Sequence, residues 1–324
     1  MRPALLVIGP SRSGSSALTA VLAMLGAALP ANLIPPGPGN ERGHFEPQRL
    51  MELNTEILAA HGIRYWDPIA IPPAWFASVE AAAFTTRIAE TIAAEYGESP
   101  LPLIKDPRLC RLAPLYFTAC ARLGLAPHAV IPLRPPGEAA ASLSARDGTR
   151  PETAELLQVR ELLGAERHTR SIPRAWTSYD ALLADWRGTT AAIAATIGIA
   201  WTPPTDAGAA IDAFLAPALR HQLPATGTAG SLARRLHAAA ATADEPAIRA
   251  AFDAVRGILD EHDRLLSPWQ STWRARLAAL EAQTHTQADE LAQRDALLAA
   301  YEHSTSWRLT RPLRGLIHLL RRLT

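Results

Sequence analysis

The chain is poor in lysine, in cysteine and in net charge. Of its 32 basic residues only Lys105 is a lysine. Where arginine fills every other basic position, a lone lysine marks a site that needs a compact ammonium in place of a planar fork; survival by chance is the alternative. Only two cysteines occur, Cys110 and Cys120, in neither a CxxC nor a disulfide-framework spacing, so the chain reads as a protein of a reducing, cytoplasmic compartment. The histidines stand apart and no HExxH is present, which excludes a sequence-local zinc site; no metal is expected. A net charge of +1 supplies no global field for nucleic acid, and none is expected as a partner. Long apolar runs are also missing. Polar residues Ser11 to Ser16 cut the first thirty positions into apolar pieces of about six and thirteen residues, too short for a membrane span or an export signal. What is present is 324 residues, 48% hydrophobic, enough to bury a large core, which excludes a disordered chain and a disulfide-stapled mini-protein.

Ala4 to Gly9 is a short apolar run, and the Ala/Leu-rich stretch Ala17 to Leu29 follows a Gly/Ser turn: strand, loop, helix. Buried-strand runs recur at Leu101 to Lys105, His128 to Leu133 and Arg174 to Tyr179, between helical stretches such as Ala81 to Tyr96 and Glu152 to Thr169. That alternation predicts an α/β fold with a parallel sheet flanked by helices and a helical C-terminal region. Ala209 to His221, Gly230 to Thr242 and Pro246 to Leu266 read as helices. The expected organisation is a domain over 1–266, closed by helices in 223–266, then a long helix over 271–302 and a basic amphipathic tail over 303–324. The long helix carries Leu277, Leu280, Leu291, Leu298 and Tyr301 on an approximate heptad, which Thr284, Gln287 and Arg294 weaken as a coiled-coil seam.

Gly9-Pro10-Ser11-Arg12-Ser13-Gly14-Ser15-Ser16 has the G-x4-G spacing of a phosphate loop between a strand and a helix, where backbone N–H groups and the helix dipole hold an anion. Ser15 stands where nucleotide triphosphatases place their lysine, and no GKS or GKT occurs elsewhere, which disfavours ATP or GTP hydrolysis.

Ser11-Arg12-Ser13-Gly14-Ser15-Ser16 resembles the 5′-phosphosulfate loop of the bacterial sulfotransferases that use 3′-phosphoadenosine 5′-phosphosulfate, although Pro10 arrives one residue early and Ser11 takes the proline position. Pro132-Leu133-Arg134 with Ser142 and Arg146-Asp147-Gly148 is similar to the family's second element, in which an arginine ending a strand and a serine eight residues on bind the 3′-phosphate; Pro135 replaces a common asparagine. Gly43-His44-Phe45-Glu46, Lys105-Asp106-Pro107-Arg108, Ser178-Tyr179-Asp180 and Leu219-Arg220-His221 extend the likeness over roughly residues 4 to 222. The resemblance implies a P-loop-like fold, sulfuryl transfer from that donor and no metal.

Sulfuryl transfer needs cations on the leaving oxygen and a base for the acceptor's proton. Arg12, with Ser13, Gly14, Ser15 and Ser16 as donors, is expected on the 5′-phosphate and sulfate, with a solvated loop arginine as the alternative. Lys105 is expected beside the bridging oxygen, while Asp106 and Arg108 either join it or simply brace the strand end. Glu46 is preferred to His44 as the base; the alternative is that Glu46 caps the helix from Pro47 to Ala60. Arg134 and Ser142 are expected on the 3′-phosphate. Arg220 and His221 reach the adenine or that phosphate, or satisfy helix carbonyls; Asp180 is either a ligand or an N-cap. The competing functions are a P-loop kinase or hydrolase, and a non-catalytic scaffold in a polysaccharide-synthesis assembly. Ser304 to Arg314 resembles an element of bacterial glycosyltransferases and other surface-polysaccharide enzymes, so a glycan or glycolipid acceptor is expected. The tail is expected to touch the inner membrane face or a glycosyltransferase; packing on the domain or on a second copy, as a homodimer, is the alternative.

Overall fold

The computed structural model describes residues 1–37, 40–215 and 231–310. Strands β1 (Arg2–Val7), β2 (Leu103–Lys105), β3 (Leu125–Leu133) and β4 (Arg174–Ser178) form one sheet in the order β2-β1-β3-β4, every neighbouring pair parallel. The α/β fold expected from the alternation is therefore present. Tyr179, read as the end of the last strand, instead opens a helix, because the Ser178 hydroxyl accepts the Ala181 N–H at 3.0 Å and so caps it. Asp180 lies in that helix's first turn and is not the cap.

The side-chain alternation of β1 explains why helices cover both faces of the sheet. Ala4, Leu6 and Ile8 enter one apolar cluster and Leu5 and Val7 the other, none more than 1% exposed. Burying each of the larger ones stabilises the fold by about 1.5–3 kcal/mol. On the second face lie α1 (Ser15–Met24), α7 (Tyr179–Ala184), α8 (Trp186–Ile197) and α9 (Ala207–Phe214). The first carries α2 (Gln48–Ala60), α3 (Val79–Tyr96), α4 (Leu109–Arg122), α6 (Pro151–Thr169), α10 (Ser231–Ala241) and the opening turns of α11 (Glu245–His303). Helix α5 (Pro136–Asp147) packs Ala140 and Leu143 on Ala154 and Leu157 of α6. Glu166, fully buried on α6, holds Arg170 at 2.7 Å, Arg256 of α11 at 3.2 Å and Arg174 of β4 at 3.4 Å, fastening these elements together.

The register aligns Val7 with both Lys105 and Val130, and Leu133 with Ser178. All four strands therefore end on one edge, where ligands of parallel sheets gather.

Two expectations need correction. Pro246 to Leu266 and Trp273 to Tyr301 are one helix, α11, which runs through Pro268. This stretch is exposed, and the Ser271 and Thr272 hydroxyls donate to the Pro268 carbonyl at 2.8 and 3.0 Å. The helix read as Ala209 to His221 is α9 and ends at Phe214; its remainder, with Arg220 and His221, lies outside the described residues. The chain divides into compact units Met1–Leu259 and Asp260–Thr324. In the second, Leu277, Leu280, Leu291, Leu298 and Tyr301 are exposed, and residues 305–310 are helical with Trp307 edge-on to Tyr301 at 5.1 Å. Residues 311–324, most of the basic tail, lie outside the description. Among the described residues no helix is long and apolar enough to cross a membrane.

Candidate active site

The turn between β1 and α1 is built on two left-handed residues, Arg12 (φ 67°) and Gly14 (φ 86°). A Cβ on Gly14 would stand 2.5 Å from the Tyr179 ring, so glycine is required there for space as well as for φ. No side chain caps α1, and no acidic residue occupies its first turn. Its leading N–H groups, together with Arg12, Ser15 and Ser16, border a cleft of about 660 Å³ at the sheet's carboxyl edge. Ser13 turns the other way. Its buried hydroxyl has no hydrogen-bond partner among the described residues and faces a cavity of about 20 Å³ beside Pro132, Gln158 and His237.

Lys105, carried in by β2, supplies the ammonium that the loop lacks. It is 3% exposed, and its Nζ donates to Glu46 Oε1 at 2.6 Å, to the His44 carbonyl at 3.1 Å and to Ser16 Oγ at 3.2 Å. Glu46 therefore does not cap α2; it is the buried partner of Lys105, with Arg108 Nη1 4.0 Å from its other oxygen. Arg108 also pairs with Asp106 at 3.0 Å, whose second oxygen accepts from Asn54 at 2.9 Å, and Asn54 accepts from Tyr116 at 2.9 Å. This buried chain of polar groups runs from the core to the loop and fixes the Lys105–Glu46 pair.

Across the cleft, guanidinium groups crowd together. Arg12 Nε donates to Ser142 Oγ at 2.9 Å, joining the loop to α5, and Arg134 Nη1 reaches the Arg12 carbonyl at 3.4 Å. Arg134 also pairs with Glu138 at 3.2 Å and lies 5.4 Å over the Tyr179 ring. Arg146, held by both oxygens of Asp147 at 2.6 Å, completes the group. Burial, then the positive charges of Arg146 and Arg134, pull the Arg12 pKa below the usual guanidinium range. An anion placed among these groups relieves that repulsion.

His44 and Glu46 flank Phe45, whose positive φ of 55° turns its ring to an edge contact with Phe214 at 6.3 Å. Arg42 donates to the Phe214 carbonyl and lies 5.3 Å over its ring, so the loop before α2 is latched to the end of α9. Burial, with Lys105, Arg146 and Arg12 nearby, lowers the His44 pKa despite Glu46, leaving a neutral imidazole in the cleft wall at neutral pH.

Arg12, Gly14, Ser15, Ser16, His44, Glu46, Lys105, Arg134 and Ser142 therefore meet around one cleft. Sequence reading did not single out Tyr65, whose hydroxyl bonds Ser11 Oγ and whose ring lies 4.4 Å from the Arg108 guanidinium. It also missed Arg146 as a member of the arginine group, and Glu161 and Gln158 of α6, which grip the loop from behind. Arg146 stood inside a quoted motif; the others carry no local signal. Among the described residues, no three His, Cys, Asp or Glu side chains gather as a metal-ligand set.

No protein-family model matches the chain, and no curated protein sequence matches it. Among solved structures it is similar to the sulfotransferase domain from the Synechococcus PCC 7002 olefin synthase, at 17% identity over 70% of this chain and 90% of that one, with a TM-score of 0.41. A sulfotransferase domain from the curacin biosynthetic pathway matches at 13% identity over 72% and 96%, with a TM-score of 0.39. The residues of the cleft, not these likenesses, carry the functional reading.

Proposed function

We propose that the chain is a sulfotransferase that moves a sulfuryl group from 3′-phosphoadenosine 5′-phosphosulfate to a hydroxyl of a glycan or glycolipid acceptor. The observation that carries this reading is the pairing of two anion-binding poles in one cleft: the lysine-free loop, to whose Ser16 Lys105 is brought within 3.2 Å, and the Arg134–Ser142 pole joined to it through Arg12. A donor with phosphate at both the 5′ and the 3′ position fits two poles; a nucleoside triphosphate needs one.

In this reading the loop N–H groups and Arg12 hold the 5′-phosphosulfate, and Arg134 with Ser142 holds the 3′-phosphate. Lys105 stabilises charge on the bridging oxygen as its bond to sulfur breaks, and the acceptor oxygen forms the new bond to sulfur. Glu46 takes the acceptor's proton; the neutral His44 imidazole beside it is the alternative base. Once Lys105 turns to the donor, the Glu46 carboxylate is released from its closest partner to meet the acceptor's proton, so one ion pair serves both steps. The glycan acceptor rests on the sequence element at 304–314, and the peripheral contact on the basic amphipathic sequence of the tail over 303–324.

Calorimetric titration with adenosine 3′,5′-bisphosphate against ATP-Mg²⁺ tests the donor. Preferential binding of ATP-Mg²⁺ sinks the proposal in favour of a kinase or hydrolase. Transfer of radiolabelled sulfate to a glycan panel tests the reaction; bisphosphate binding without transfer to any acceptor leaves the scaffold reading.

A further inference from the structure

Ser11 is held on both sides of its peptide by α6. Glu161 Oε2 accepts the Ser11 N–H at 3.0 Å, and Gln158 Nε2 donates to the Ser11 carbonyl at 2.6 Å, across 150 and 147 positions of sequence. Glu161 is fully buried. Its Oε1 has no hydrogen-bond partner among the described residues, with Arg111 Nη2 at 3.7 Å. Arg111 does not belong to Glu161 alone, because the same guanidinium donates to the Tyr65 and Asp67 carbonyls. A carboxylate thus sits directly behind a loop whose cleft side is arranged for anions.

We infer that Glu161 is a positioning residue that fixes the phosphate loop from behind and couples the loop's affinity for an anion to uptake of a proton. The inference rests on the loop being an anion site, as in the sulfotransferase reading. When Glu161 is ionised, its charge opposes a phosphate in the cleft; when Oε1 is protonated, Oε2 still accepts the Ser11 N–H and the opposition disappears. The charged and titratable groups facing it are Arg111 and Cys110 of α4, Asp106 and Arg108 after β2, and Tyr65. Burial, opposed by Arg111, the Ser11 N–H and Arg108 and reinforced by Asp106, pushes the Glu161 carboxyl up to about 7. The two states therefore exchange near neutral pH. A unit charge about 10 Å from a phosphate at an effective dielectric near 20 changes its affinity roughly tenfold. Reciprocally, a bound anion raises Glu161's affinity for a proton by the same factor.

The test is titration calorimetry of the whole protein with adenosine 3′,5′-bisphosphate and, separately, inorganic pyrophosphate, at pH 8 in two buffers of different ionisation enthalpy. At that pH the bisphosphate's phosphates are ionised and His44 is neutral, so a proton taken up on binding it reports Glu161; pyrophosphate still carries its last proton, so for that ligand Glu161 is read from the difference in proton uptake between the parent and Glu161→Gln. Roughly half a proton is expected for the parent and none for Glu161→Gln, which keeps the acceptor oxygen. The variant should bind either anion roughly fivefold more tightly than the parent at pH 8, and equally at pH 5.5. A brace with no electrostatic coupling would lower stability without moving proton uptake. Binding of the bisphosphate by the parent with no proton uptake overturns the role of Glu161 and leaves the sulfotransferase reading standing. Pyrophosphate binding with proton uptake, but without bisphosphate binding, supports Glu161 and sinks the donor assignment. No binding of either anion overturns both. The parent measurement decides even where the variant fails to fold.

Discussion

Replacing Lys105 with methionine removes the ammonium and keeps most of the apolar stem. The parent Nζ has three acceptors within 3.2 Å and is sealed from water. In Lys105→Met, the buried Glu46 carboxylate retains, among the described residues, only Arg108, at 4.0 Å and already committed to Asp106. Removing one partner of a buried ion pair costs about 3–5 kcal/mol, which for a unit of this size lowers Tm by roughly 10 °C. Adding Glu46→Gln removes the stranded charge and should recover most of the lost stability, while sulfate transfer stays at least about 10²-fold down in both variants. Thermal melts at pH 8 with single-turnover transfer assays measure all of this. A methionine variant that melts with the parent at pH 8, or a double variant no more stable than the single, would refute the reasoning. Lys105→Arg keeps the charge on a wider fork and should lose more turnover than donor binding; full activity would return the lone lysine to accident of composition.

Arg134→Ala should raise the dissociation constant for adenosine 3′,5′-bisphosphate about 30- to 1000-fold, equivalent to roughly 2–4 kcal/mol, and Ser142→Ala by less; an unchanged constant in the arginine variant removes the 3′-phosphate assignment. Glu46→Gln should slow transfer roughly 10²-fold with donor affinity nearly unchanged, and His44→Ala should remain active. The opposite pattern would hand the proton to His44, whose lowered pKa then predicts an activity loss only on the acid side of the usual histidine range. Deleting 303–324 should preserve transfer to a soluble acceptor and abolish co-sedimentation with anionic liposomes; sedimentation of neither protein points instead to a protein partner.

The elements that were legible in the sequence are those whose information is local. An apolar run, a Gly/Ser turn and an Ala-rich helix spell out β1, the loop and α1, and the single lysine announced a position that proves to be buried against Glu46. Arg134 and Ser142 were found through the resemblance to the sulfotransferases, whose pattern sets an arginine at a strand end and a serine eight residues on. Glu161 and Gln158 were not, since on α6 they read as ordinary polar residues of a helix; only their burial against Ser11 distinguishes them. Tyr65 was hidden for the same reason. The division into a helix ending at Leu266 and a second over 271–302 erred in the other direction, because the helix continues through Pro268.

The strand order also has a cost in time. Central β1 lies between β2 and β3, so its apolar segment stays unpaired on the β3 side until Leu133 has been synthesised. At ribosomal rates of roughly 5–20 residues per second, that wait is about 6 to 25 seconds, during which a hydrophobic strand edge is open to wrong partners. The contacts of Lys105 with Glu46 and Ser16, of Arg12 with Ser142 and of Ser11 with Glu161 join positions 59, 89, 130 and 150 residues apart, so none of these four forms from a local fragment. Assembly of the cleft is thereby a late event in the life of the nascent chain, and a product cut short before α6 lacks the side chains that brace the loop from behind.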